Sequence, residues 1–84
     1  MAEKEIGKII HYFAHVGAGI IELSDSLKVG DKIRVKGHSE DFTQDVTSMQ
    51  IEHAEVAEAK AGDQVGVKVP QKVHQGDRVY KITE

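Results

Sequence analysis

The sequence predicts an all-β fold, a small closed β-barrel of six or seven strands, on three observations. A cassette of glycine, aspartate, polar residue and β-branched residue recurs at Gly30-Asp31, Gly62-Asp63 and Gly76-Asp77. The first two cassettes open runs in which apolar and polar side chains alternate, Ile33 and Val35 against Lys32, Arg34 and Lys36 in the first. Turn-forming residues return about every ten positions. Glycine supplies a positive φ without steric cost, and aspartate closes the turn by bonding local backbone, so these six residues are read as structural turns. Closure is expected because so small a domain must deal with its strand edges.

Residues 6–13 read as a first strand, apolar on both faces. Ala14-His15 forms a hairpin tip, and residues 16–23 return as a second strand that Gly17 and Gly19 bend. Ser24-Asp25-Ser26 is turn chemistry, after which Leu27 and Val29 dip inward before the Gly30 turn. Residues 37–41 are a polar loop. Residues 42–51 read as one strand whose apolar positions Val46, Met49 and Ile51 slip out of phase, which predicts a bulge or two-sided burial near Thr47-Ser48. Residues 53–61 have helical composition but no apolar stripe, so a short strand is preferred. Residues 64–69 alternate cleanly up to Pro70, residues 71–75 lead into the third turn, and residues 79–82 form the last strand.

A chain of 84 residues is one domain, 1–84, with a small core. Its 11 basic and 14 acidic residues give a net charge of −3 with no basic tail, which argues against strong nonspecific nucleic-acid binding. Cysteine is absent, so disulfides, thiolate metal sites and cysteine nucleophiles are excluded. The charged start, Met1-Ala2-Glu3-Lys4-Glu5, leads into no long apolar run, so neither a signal peptide nor a membrane span is expected and the location is read as cytoplasmic.

Several residue groups suggest chemistry and fail its geometry. Gly17-Ala18-Gly19 lacks the third glycine and the following helix of a phosphate-binding loop, so no nucleotide is expected. His11 and His15 lie roughly 13 Å apart along an extended strand and lack further ligands, so no metal or other cofactor is expected. His38, Ser39, Glu40 and Asp41 are hydrolase residue types in a polar loop, and Glu52, Glu55 and Glu58 make an acidic edge. No enzyme is predicted. Lys32, Arg34 and Lys36 stand about 7 Å apart on one strand face, close to the phosphate spacing of extended RNA. With His38 they are the candidate binding residues, and a charged outer wall is the plainer reading of the same pattern.

The blocks at residues 17–23, 27–33 and 59–67 resemble the β-barrel domain that follows the GTPase domain in translation factors of the elongation factor Tu type. Residues 38–44, 48–53 and 76–81 resemble small stand-alone translation elongation factor-like proteins, and are also similar to the C-terminal barrel of collagenase-like peptidases. The chain has no Gly-x-x-x-x-Gly-Lys-Ser/Thr loop, so the resemblance implies no GTPase activity. It implies a non-catalytic module in protein biosynthesis that binds RNA or a ribosome-associated protein. The second expectation is an accessory domain acting in trans with a separate enzyme such as a collagenase-like peptidase.

Overall fold

A computed structural model describes residues 2–37, 41–52 and 54–83. Strand follows strand: β1 (Ala2–Phe13), β2 (Ala18–Leu23), β3 (Leu27–Lys28), β4 (Lys32–Lys36) and β5 (Asp41–Asp45) in the first half. β6 (Met49–Ile51), β7 (Ala54–Val56), β8 (Glu58–Ala59), β9 (Gln64–Lys68) and β10 (Arg78–Thr83) complete the chain. The all-β expectation holds, with no helix among the described residues. Residues 54–59 form β7 and β8, and His53 lies outside the described residues.

The expected closed barrel is not formed. Eight strands make an open antiparallel sheet in the order β5-β4-β10-β1-β2-β9-β6-β7, and β3 pairs with β8 in a separate ribbon. The sheet nevertheless curls about one core, because inward side chains from most of its strands and from the ribbon share a single cluster, including Ile9, Ile21, Leu27, Ile33, Met49 and Val65. Val46 explains the opening. β5 stops at Asp45, Val46 turns inward at 1% exposure, and the chain re-enters beside β9 as the three-residue β6. The single strand expected over residues 42–51 is thus two strands with different partners, and the phase slip marks the changeover rather than a bulge. The sheet's ends are blunted by other means, Asp41 and Asp45 on β5 and the brevity of β7.

The three Gly-Asp steps have one geometry. Gly30, Gly62 and Gly76 take φ of 101°, 93° and 97°. Oδ2 of Asp31 accepts the Lys28 N–H at 3.0 Å, and Asp63 and Asp77 accept those of Lys60 and His74, each at 2.9 Å. In every case the glycine N–H and the aspartate carbonyl then bridge to one buried residue elsewhere. That residue is Val46 for the first turn (2.8 and 2.8 Å), Leu23 for the second (2.8 and 2.9 Å) and Ile9 for the third (2.7 and 2.7 Å). Each turn so satisfies its own polar groups while tying itself to the core. Of the three carboxylates only that of Asp77 is buried, at 5% exposure. Asp31→Ala and Asp63→Ala are therefore expected to cost about 1 kcal/mol each, and Asp77→Ala about 1–3 kcal/mol. Urea denaturation midpoints measure the order, and equal losses at all three sites would contradict the ranking by burial.

Candidate functional site

Two outward faces carry the functional candidates. The first is the charged wall of β5, β4 and β10. Because Ile33 and Val35 point into the core, Lys32, Arg34 and Lys36 point out, and antiparallel pairing sets Lys32 opposite Asp45 and Lys36 opposite Asp41. Arg34 grips Asp41 with two hydrogen bonds, Nε to Oδ1 and Nη2 to Oδ2, both 2.7 Å, and reaches Glu3 on β1 with Nη1 at 2.9 Å. Arg78 donates to Glu5 at 2.6 Å, and Lys81 lies 3.5 Å from Asp31. The sequence-predicted stripe of cations is thus a wall of mixed charge, with Arg34 joining β1, β4 and β5 across β10. His38, Ser39 and Glu40 lie outside the described residues.

These contacts move the charges' affinities for protons. The Arg34 guanidinium holds the Asp41 carboxyl below the usual aspartate range, Lys4 does the same for Asp25, and Asp41 and Glu3 raise Arg34. A carboxyl depressed in the folded state binds protons more weakly there than in the unfolded chain. Its stabilisation is complete above the unfolded value of about 3.9 and is lost as pH falls through the lower folded values. The urea midpoint is therefore expected to fall below about pH 4, with a shallower acid limb in Asp41→Asn. An identical acid limb in that variant would show that the Arg34 bond contributes nothing.

The second face is a groove of about 1150 Å³ across the outside of β2, β9 and β6. Ala18 and Ile20 on β2, Gly66 and Lys68 on β9, and Ser48 and Gln50 lie along it. The turn after β1 raises one rim: Phe13 is 38% exposed and Val16 52%, and the His11 and His15 rings stand in T-shaped contact with Phe13 at centroid distances of 4.5 and 6.5 Å. Sequence reasoning assigned no site here. Two signals were present, apolar side chains at a hairpin tip and a glycine at the outward position between Val65 and Val67. Among the described residues no three His, Asp or Glu side chains converge to hold a metal ion, and no helix is long and apolar enough to cross a membrane.

With this geometry the chain is 42% identical over 81 residues to an uncharacterized protease of Methanocaldococcus jannaschii, matching 95% of this chain and 20% of that protein. It is 31% identical over 79 residues to a collagenase of Porphyromonas gingivalis, matching 92% of this chain and 22% of the collagenase. The similarity is to collagenase-like peptidases. The crystal structure of the C-terminal domain of a putative U32 peptidase from Geobacillus thermoleovorans shares the fold, with a TM-score of 0.88 over 95% of this chain and 93% of that domain at 20% identity. No family model matches the chain. The chain spans about one fifth of the length of these curated relatives.

These findings overturn the translation-factor expectation, and with it the RNA-binding, ribosomal and protein-biosynthesis roles, because the relatives are proteases and collagenases. The physical reason for the error is plain in the fold. The residues behind that resemblance, Gly30, Asp31, Gly62 and Asp63, build turns, and turns specify a scaffold without specifying what the scaffold binds.

Proposed function

We propose that this chain is a non-catalytic accessory domain of a collagenase-like peptidase, acting in the cytoplasm beside a separate catalytic unit. The observation that carries the proposal is the proportion of the match, nearly all of this chain against one fifth of each relative, with the same fold in a peptidase's C-terminal domain. The surface suits such a role, since ion pairs stiffen one wall and a groove opens on the other. On the charged wall the Lys32 and Lys36 ammonium groups are the contacts offered to the catalytic unit, while Arg34 is occupied in holding strands together.

Sedimentation of this chain with the Methanocaldococcus protease from which the matching fifth has been removed tests the proposal. A one-to-one complex is expected, and Lys32→Glu with Lys36→Glu slows its formation about tenfold at low salt through lost electrostatic steering. Absence of a complex at protein concentrations near 100 μM, the range of weak transient contacts, would overturn the docking role.

A further inference from the structure

A side chain joins the open sheet across its gap. β5 stands at one end of the sheet, with β4, β10, β1 and β2 between it and β9. Gln44 Nε2 on β5 nevertheless donates to the Lys68 carbonyl of β9 at 2.7 Å. The strand pairing explains how the two meet. Gln44 lies opposite the fully buried Ile33, so its side chain points to the core side of the sheet. β6 pairs with β9 only at Val67 and Gly66, so that ladder stops short of Lys68 and the Gln44 amide takes the carbonyl there.

This join is half satisfied. Gln44 Oε1 is buried and accepts no hydrogen bond from any described residue. A dehydrated acceptor left over costs as much as a hydrogen bond contributes, or more, so the bond and the stranded oxygen of one amide nearly cancel. The Gly-Asp turns differ, because each bridges both its glycine N–H and its aspartate carbonyl to Val46, Leu23 or Ile9. On either side of the join the apolar cover is partial: Phe42 on β5 and Val69 just after β9 pack against the core but are only half-buried. The rest of β5 is held firmly. All five of its residues pair with β4, Arg34 grips Asp41, and Val46 exchanges two 2.8 Å bonds with the Gly30 turn.

We propose that Gln44 is a latch poised near balance between two forms of the sheet. In the closed form Gln44 holds the Lys68 carbonyl and the sheet stays curled. In the released form β5 remains on β4 but parts from β9. Release returns both the Gln44 oxygen and the carbonyl of the exposed Lys68 to water, which offsets the broken bond, and it uncovers Phe42 and Val69. Lys68 also lines the groove across β2, β9 and β6, so the latch sets the shape of the groove at that residue. The device belongs to the fold and does not depend on the accessory-domain proposal.

The test follows solvent exchange of the Gln44 side-chain amide protons in the intact chain at increasing, sub-denaturing urea. Relative to their intrinsic rates they are expected to exchange at least about tenfold faster than the Gly62 and Gly76 N–H groups, and independently of urea. Those two glycines bond Leu23 and Ile9 and are expected to open only with the whole fold. Gln44→Met keeps the side chain's length and removes the buried oxygen, so its melting midpoint should be unchanged or raised. Exchange of the Gln44 amide with the rate and urea dependence of Gly62 and Gly76 would overturn the latch. A lowered midpoint in Gln44→Met would do so as well, by showing that the bond outweighs the stranded oxygen. So would a long-lived water detected beside the Gln44 amide, because Oε1 would then be satisfied.

Discussion

Ile9→Ala is expected to destabilise the protein by about 2–5 kcal/mol, the cost of emptying a close-packed aliphatic site. Ile9 is 0% exposed and belongs to the single cluster around which the sheet curls. Its backbone also bridges the third turn, donating to the Asp77 carbonyl and accepting from the Gly76 N–H, both at 2.7 Å. Alanine keeps those two bonds, so the loss reports packing alone. A domain of this size has a total stability on the order of 4–13 kcal/mol, so the loss is a sizeable share of the whole. Urea denaturation followed by circular dichroism gives the number. A loss under about 1 kcal/mol would mean that the sheet does not close over this side chain.

Gly37→Ala is expected to cost about 2–4 kcal/mol for a different reason. Gly37 follows β4, and an added methyl group would overlap the carboxylate of Asp77, which is buried and accepts the His74 N–H at 2.9 Å. Either the carboxylate leaves its bond or β10 shifts along β4, where Arg78 pairs with Lys36. The cause can be isolated with a double substitution. In Asp77→Ala the obstruction is gone, so Gly37→Ala in that background should cost clearly less than it does alone. Full additivity of the two losses would show that they do not meet.

What was legible in the sequence follows from what is local. The Gly-Asp turns are written in adjacent residues, and the alternation at Ile33-Val35 and Val65-Val67 requires only a pleat, so neighbouring residues alone suffice to place these strands and turns. The opening of the sheet was not legible, because it depends on Val46 bonding a turn that precedes it by fifteen positions instead of extending β5. The role of Arg34 was half visible. Its outward direction follows from period two, but its partners Glu3 and Asp41 lie on strands that only the pairing order β5-β4-β10-β1 brings near. The groove was hidden for the same reason, since Phe13, Ile20, Gln50 and Gly66 become neighbours only through β2-β9-β6 pairing. Function was least legible of all, because the repeated cassette builds turns of the scaffold.

Cleavage of denatured collagen by the Porphyromonas gingivalis collagenase, with its segment matching this chain removed and then replaced by this chain, tests the central claim most directly. The accessory-domain proposal predicts that removal lowers cleavage and that splicing in this chain restores it. Unchanged cleavage on removal, or no recovery with this chain in place, would contradict it.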